Sequence, residues 1–299
     1  MEVIQPKVIK VTLKLNGKDS VFSSETKANK ASSDGLRVQV VLSYGAGNIT
    51  PTAQISIYGL TIATMTPLMR IQWNTMQAIL NTIQIEVGDK SDKVLSLAYE
   101  GNITFAKIDT SNAPTMCLQI ESQMAIVEAL TPRQPNTYTK GKDGAMVIQQ
   151  LAQSMGYQFN NNQANHILTS DVTMEGSYLS RIQLLATNCD FDLYVEQKSI
   201  TICQRGFART VKIPVITPTT GLIGYPSPDI RGITFRCMYS PLVQFGGIVR
   251  IADSLIPTCN GDWRIYGVRA VLETNVGSGR WEMEVSAVPR EVKDVAIAR

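Results

Sequence analysis

The chain has 299 residues, of which 28 are lysine or arginine and 25 are aspartate or glutamate, so its formal net charge is only +3. This excess is too small to indicate nucleic acid or an anionic membrane as a partner. Hydrophobic residues make up 44% and charged residues 18%, which excludes a largely disordered chain and, at this length, favours two or three domains. We find neither a signal-peptide pattern nor an apolar run of membrane-spanning length, and we therefore expect folding in a cytoplasm.

The first 125 residues predict a succession of strands, because apolar and polar residues alternate with a period of two. The alternating runs cover 9–15, 36–42, 53–57, 83–87, 95–108 and 116–120. Asn16-Gly17 predicts a hairpin turn into Val21-Phe22, the small polar segment 23–35 a loop, and the methionine-bearing stretch 60–80 a short helix. Strands in this number need their edges hidden, so we expect a small barrel or sandwich.

The polar, proline-bearing stretch 131–136 predicts a domain boundary, and helical spacing begins beyond it. Residues 137–205 then predict a compact module of helix, strand, helix and hairpin. Its elements are a helix capped by Asp143 and ended by Gly156, a strand at 157–159, a helix capped by Ser177, and a hairpin over 191–202 that turns at Gln197-Lys198.

From about residue 206 the pattern is β again. Four prolines between 214 and 228 predict a long connection, and Asn260-Gly261 predicts a second Asn-Gly turn. The predicted strands are 233–237, 249–251, 263–272 and, after the turn at 277–279, 281–285. The charged tail 290–299 is expected to be loosely held unless a partner binds it.

These patterns together predict a mainly β protein with an α/β insert. The predicted domains are a first β-barrel domain at 1–130, a small α+β module at 131–205, and a second β-barrel domain with its tail at 206–299.

The residues that could carry chemistry are sparse and scattered. Glu282 and Glu284 lie two apart on a strand and share a face, and Asp190 and Asp192 have the same spacing. Paired carboxylates can hydrolyse glycosides, but we interpret both pairs as the solvated faces of strands. The single histidine, His166, is expected to be exposed in an Asn-rich loop. Five cysteines without zinc spacing are interpreted as small buried hydrophobes: Cys117, Cys189, Cys203, Cys237 and Cys259.

The glycine-rich stretches do not precede helices, so they predict turns and no phosphate site. The methionines of 60–80 are interpreted as packing residues, and Trp73, Trp263 and Trp281 are too far apart to indicate a stacking platform. We therefore predict no catalytic, cofactor-binding or metal-binding residues, and no enzyme.

Four segments, taken in this order, resemble the central baseplate hub proteins of contractile-tailed bacteriophages. They are Ala53-Gln54-Ile55-Ser56-Ile57-Tyr58-Gly59-Leu60, Tyr99-Glu100-Gly101-Asn102-Ile103, the module ending in Asp190-Phe191-Asp192-Leu193-Tyr194-Val195, and Asn260-Gly261-Asp262-Trp263-Arg264-Ile265 with the strand 281–285. The resemblance runs from about residue 8 to residue 288, and the order of the segments carries it.

The resemblance implies two tail-tube-like β-barrels joined by a smaller α+β module. It also implies a homotrimer whose six barrels form a ring between a sixfold tail tube and a threefold central spike. Further implied partners are a tube-initiator protein, other baseplate proteins, and the tape-measure protein and DNA, which pass through the lumen without sequence readout. The implied location is the tail baseplate of a virion assembled in the host bacterial cytoplasm. The family contributes no catalytic residues.

Three alternatives stay open at this point. One is a carbohydrate- or peptidoglycan-binding module, which predicts a saturable glycan interaction. Another is a cysteine hydrolase that uses one cysteine with His166. The third is the hub of a related tail-like injection system.

Overall fold

The structure, a computed structural model, describes residues 6–15, 18–23, 25, 35–45, 50–69, 81–209 and 211–290. The chain divides into two compact units. The first comprises Met1–Ser43, Thr52–Met124 and Arg269–Met283, and the second comprises Tyr44–Pro51, Ala125–Val268 and Glu284–Arg299. No helix in the described part of the chain is long and apolar enough to cross a membrane.

The first unit is an antiparallel sheet. Its strands are β1 (Lys7–Leu15), β2 (Lys18–Ser23), β3 (Arg37–Tyr44), β4 (Thr52–Tyr58), β5 (Thr82–Asp89), β6 (Ser96–Asp109) and β7 (Cys117–Gln123). Their order is β2-β1-β5-β6-β7-β4-β3, and β3 is followed by β17 (Gly261–Thr274). A helix α1 (Ile62–Met65) continues into a 3-10 turn at Thr66–Leu68.

Period-two burial explains why these segments are strands. In β3 the side chains of Val38, Val40 and Leu42 are buried, whereas Gln39 and Val41 between them are partly exposed. One face of β3 therefore supplies the core, as the alternating sequence predicted.

An aromatic side chain packed over a glycine distinguishes β6. Tyr99 is fully buried, and its hydroxyl lies 3.1 Å from Ser122 Oγ on β7. Ser122 in turn donates to the carbonyl oxygen of Asn102 at 2.8 Å, so the tyrosine hydroxyl is the donor to Ser122. A Cβ at Gly101 would stand 2.5 Å from Tyr99 Oη. Glycine at this position therefore makes room for the tyrosine two residues before it.

The second unit begins with the α+β module. Its elements are α2 (Ile126–Leu130), β8 (Pro132–Tyr138), α3 (Gly144–Ser154), β9 (Gln158–Asn162), β10 (Val172–Ser177), α4 (Tyr178–Asn188), β11 (Phe191–Glu196) and β12 (Ser199–Gln204). The strands form a sheet in the order β11-β12-β9, with β9 parallel to β12, and a separate ribbon of β8 and β10.

Both predicted caps of the module are confirmed. The Asp143 side chain accepts the amide of Ala145, and the Ser177 hydroxyl accepts the amide of Ser180. Gln197 and Lys198 both have positive φ, 42° and 58°, as the two-residue turn between β11 and β12 requires.

Arg181 is a buried cation of α4 that the sequence did not indicate. Its Nη2 donates to the carbonyl oxygens of Arg133 and Gln134 at 2.7 Å and to that of Gly176 at 3.0 Å. The arginine thereby joins α4 to the β8–β10 ribbon, because a buried guanidinium needs acceptors for its donors.

The remainder of the second unit is a β region. Its strands are β13 (Val215–Ile216), β14 (Leu222–Pro228), β15 (Ile233–Met238) and β16 (Ile248–Ile251), with a 3-10 turn at Pro257–Cys259. Two further strands are shared with the first unit: residues 261–268 of β17 and residues 284–289 of β18 (Trp281–Pro289) belong to the second unit. Their order is β14-β15-β18-β17-β16-β13. The predicted strands are confirmed, and so is the mainly β fold class with its α+β module.

Two local predictions are wrong. The proline-bearing stretch 214–228 is more than a connection, because it contains β13 and β14. Asn260-Gly261 is not a hairpin turn: Asn260 is extended after the 3-10 turn, and Gly261 already pairs with Ile251. The Asn260 side chain instead accepts the amide of Ser254 at 3.0 Å and organises the loop before β17.

Several predictions fall outside the described residues. They concern the conformation of Asn16-Gly17, nearly all of loop 23–35, the stretch 70–80 and the tail 291–299. The hairpin that Asn16-Gly17 predicts is nevertheless confirmed by the pairing of Leu15 with Lys18.

Candidate functional site

The strand β11 presents two chemically different faces. Phe191, Leu193 and Val195 belong to the buried apolar cluster of the α+β module. Asp192, Tyr194 and Glu196 alternate with them and project to the other face, towards the β region of the second unit. We name this second face, with Arg209, Phe245, Gly246 and Arg264 against it, the β11 joint.

Asp192 forms one end of the β11 joint. Its Oδ2 lies 3.2 Å from Nη1 of Arg264, whose side chain is only 6% exposed, and accepts the amide of Gly206 at 3.0 Å. Burial raises the pKa of Asp192, while the Gly206 amide and the Arg264 charge oppose that rise. Our interpretation of Asp192 as a solvated carboxylate is therefore wrong. Asp190 does fit that interpretation, because it is exposed and pairs with exposed Arg205 at 3.0 Å.

Glu196 and Arg209 form the other end. Their side chains, 20% and 12% exposed, meet at 2.7 Å. The same Arg209 nitrogen donates to the carbonyl oxygen of Phe245 at 2.9 Å. The guanidinium also lies 5.5 Å from the centroid of the Tyr194 ring, a cation–π distance.

Tyr194 fills the middle of the joint. Its ring meets that of Phe245 edge to face, with centroids 5.1 Å apart. Gly246 has φ +77°, and a Cβ there would collide with the tyrosine ring. The amide of Arg209 donates to the carbonyl oxygen of Gly246 at 2.8 Å, and that of Gly246 to Ile265 at 3.1 Å. The joint is thus a close-packed docking surface, and its carboxylates are engaged by arginines.

The predicted position of His166 needs correction. The side chain is half-buried and its ring packs edge-on against Phe191, with centroids 6.4 Å apart. Its backbone carbonyl accepts the amide of Gly144 at 2.8 Å. His166 therefore packs against the module and is not an exposed loop residue.

All five cysteines are buried with free thiols, as predicted. Burial raises the pKa of Cys189 and of Cys203 to about 11, and that of Cys237 to about 12. Such thiols stay protonated near neutral pH, whereas a cysteine nucleophile reacts as the thiolate. The geometry thus gives the cysteine-hydrolase alternative no support. Among the described residues, no group of three or more His, Cys, Asp or Glu side chains could hold a metal ion.

The other singled-out residues have structural roles. Glu282 and Glu284 lie on β18. Glu284 is exposed, as expected for the solvated face that we predicted, whereas Glu282 is half-buried. Trp263 donates to the carbonyl oxygen of Cys259 at 2.9 Å, and the Trp281 ring lies 5.9 Å from the Lys7 ammonium. Met65 is buried.

The edge strand β14 is shielded against the addition of another strand. Asp229 donates to the carbonyl oxygen of Gly232, and Pro228 pairs with Ile233 one step further along. In an antiparallel pair, residues whose amides bond to the partner strand alternate with residues whose amides point away from it. An amide at position 228 would therefore point away from β15. Because Pro228 has no N–H group, this edge lacks a donor for an added strand at that position. In addition, Cys259 Sγ lies 3.9 Å from the carbonyl oxygen of Pro226.

The comparison with protein families is decisive. A family model described as baseplate hub gp41 matches residues 8–275. The protein belongs to this baseplate hub family. No curated protein matches the chain significantly.

Solved structures share the fold of this hub-family protein at very low sequence identity. A tail protein from Neisseria meningitidis MC58 has a TM-score of 0.62 and 9% identity, over 94% of this chain and 96% of that one. The 43 kDa tail protein of prophage MuSo2 from Shewanella oneidensis has a TM-score of 0.64 and 8% identity, over 94% and 97%.

A third similar structure is the E. coli c3393 protein. It is described as a component of the type VI secretion system with structural similarity to the T4 bacteriophage tail proteins gp27 and gp5. The TM-score is 0.57 at 11% identity, over 90% of this chain and 79% of that one. The family match thus identifies a phage tail baseplate component with a structural role, and the solved structures agree in fold.

Two segments that carried the sequence resemblance meet in the β11 joint. Asp192 comes from the segment 190–195 and Arg264 from the segment 260–265, and the two side chains form an ion pair. Sequence reasoning missed this pair because the residues are 72 positions apart.

Proposed function

We propose that the protein is the non-enzymatic central hub of a contractile phage tail baseplate. In this proposal three copies form a ring that connects the tail tube, or a tube-initiator protein, to the central spike. The ring lines a lumen through which DNA and the tape-measure protein pass. The observation that carries the proposal is the hub-family match over residues 8–275.

We further propose that the chain is used in three parts. Residues 1–130 and 206–299 would each contribute a tail-tube-like β-barrel, and residues 131–205 the α+β module between them. Three copies would then place six barrels around the lumen, which suits a sixfold tube on one side and a threefold spike on the other.

Exposed apolar side chains support an assembled state. Ile230 is fully exposed, Leu255 is 76% exposed, and Val94 and Tyr225 are also exposed in the single chain. Large apolar side chains are typical of surfaces that a partner covers. The shielding of β14 favours side-chain contacts over strand addition at that edge.

The first experiment is a mass measurement of the purified chain by size-exclusion chromatography with light scattering, over a concentration series. We expect a species of about 98 kDa, three times the chain mass of 32.8 kDa, because closed cyclic assembly is the common oligomeric solution. A strict monomer at every concentration would contradict self-assembly of the isolated hub. A saturable glycan interaction of that monomer would favour the carbohydrate-binding alternative.

The remaining alternative is the hub of a tail-like injection system, and the fold similarity to the E. coli c3393 protein keeps it open. Proteomics of purified tailed particles from the producing strain separates the two. Co-purification with capsid proteins supports the phage baseplate, and particles that contain the protein but no capsid support an injection system.

A further inference from the structure

The α+β module has an apolar core of its own. Every member of the buried cluster that fills it lies between Ala125 and Ile202, on helices α3 and α4, on the sheet strands and in the loops between them. The cluster that includes Ile148, Leu185 and Ile202 thus contains no residue of the β region. A segment with its own closed core can keep its structure when its neighbour moves.

The β11 joint attaches this module by a different kind of contact. Two ion pairs, Asp192–Arg264 and Glu196–Arg209, flank the Tyr194 ring. When the carboxylate partner of a part-buried arginine is removed, the arginine is still desolvated, but no ion pair offsets the cost of that desolvation. The joint therefore depends on these charges as well as on the packing of Tyr194 against Phe245, whereas the module core, among the described residues, contains no ion pair of this kind.

The chain can turn at both ends of the module. Ala125, directly before α2, has φ 55°, and Gly206, two residues after β12, has φ 83°. Both connections therefore consist of short, non-regular backbone at the ends of elements, the kind of position that absorbs a change in φ and ψ during a hinge motion.

We propose that the β11 joint is an electrostatic latch. Residues 125–204 move away from the β region as one body, with their core intact, when the two ion pairs are broken. Closure returns Tyr194 to its position over Gly246 and re-forms the hydrogen bond that the Gly206 amide donates to Asp192 Oδ2. This inference is independent of the trimer, since every residue in it belongs to one chain.

Hydrogen exchange measured by mass spectrometry on the full-length protein tests the latch. In the wild type, peptides that contain the amides of Gly206 and Phe207, which bond to Asp192 and Gln204 of the module, are expected to exchange through a smaller opening than peptides from α3 and α4, with a weaker dependence on denaturant. If all these peptides exchange with one common opening free energy, there is no separate body and the proposal is wrong.

The double variant D192N/E196Q keeps the shape of both side chains and removes both charges. The peptides that contain Gly206 and Phe207 are expected to exchange roughly tenfold faster or more, because each arginine loses its partner and the joint opens more often, while the α3 and α4 peptides keep their wild-type rates. The control is D262N, which removes an exposed ion pair on the same strand as Arg264 and is expected to leave the joint unchanged. Equal acceleration in the module core, no acceleration at the joint, or the same acceleration in the control would each refute the latch.

Discussion

Replacing Gly101 with alanine is expected to destabilise the protein, although alanine normally suits a strand better than glycine. The normal gain, about 0.4–1 kcal/mol, comes from a less flexible unfolded chain. At this position the added Cβ would lie 2.5 Å from Tyr99 Oη, 2.8 Å from Tyr99 Cζ and 2.9 Å from Ser122 Oγ. Tyr99 is fully buried and cannot swing away. Overpacking of this kind costs about 1–3 kcal/mol, so we expect a net loss of about 1–2 kcal/mol in the free energy of unfolding.

The tyrosine hydroxyl provides the second half of the test. Y99F alone is expected to cost about 1 kcal/mol, because the hydrogen bond to Ser122 is lost. In the Y99F background the shortest contact of the new methyl group disappears, so G101A should cost less there than in the wild type. The difference is the coupling energy between the two positions, for which we expect at least about 0.5 kcal/mol.

Denaturant unfolding at one fixed protein concentration, followed by circular dichroism, measures all four proteins of the cycle. G277A serves as the matched control, because a Cβ at Gly277 has no neighbour within 4 Å, and its effect should stay within about 0.5 kcal/mol. The reasoning is refuted if G101A is stabilising, or if its cost is the same with and without the tyrosine hydroxyl.

Three further predictions concern caps, thiols and pH. D143A should lower the free energy of unfolding by about 1 kcal/mol through loss of the α3 cap, whereas D143N, which keeps an acceptor oxygen, should stay near the wild type; equal losses would contradict the capping role. Because burial raises the pKa of Cys189 to about 11 and that of Cys237 to about 12, a maleimide at pH 7 should leave both unlabelled in the folded protein and label all five cysteines after denaturation; rapid native labelling of either would contradict their burial. The hydrogen bond from Arg250 lowers the pKa of Asp262, so this pair stabilises the fold above the unfolded-state pKa of about 3.9, and the contribution disappears as pH falls through the lower folded-state pKa. D262N should therefore cost less than about 1 kcal/mol at pH 7, because the pair is screened by solvent, and progressively less as the pH falls through the folded-state pKa of Asp262; a cost that grows on acidification would reverse the assignment.

Local patterns in the sequence determined most of the secondary structure. Val38, Val40 and Leu42 alternate with Arg37, Gln39 and Val41. The strand follows because a period of two separates a buried face from a partly exposed one. Asp143 and Ser177 could be identified as caps because a capping side chain bonds to an amide only two or three residues away. The order of four such segments was enough to indicate the hub family.

Only the tertiary structure decided what depends on distant partners. Asp192 resembles any solvent-facing carboxylate of a strand until Arg264 is brought against it, and Gly101 resembles any strand glycine until Tyr99 folds over it. Prolines in β14 argue against a strand by local rules, yet they are tolerated there because Pro228 stands at a sheet edge where no amide is needed. Asn260-Gly261 has the sequence of a tight turn, but the side chain of Asn260 is used to hold Ser254 instead. For Asp192 and Asn260 the deciding contact joins residues that local periodicity does not relate. For Gly101 and Pro228 the deciding fact is how a side chain or a strand is placed in the sheet, and only the folded chain could supply either.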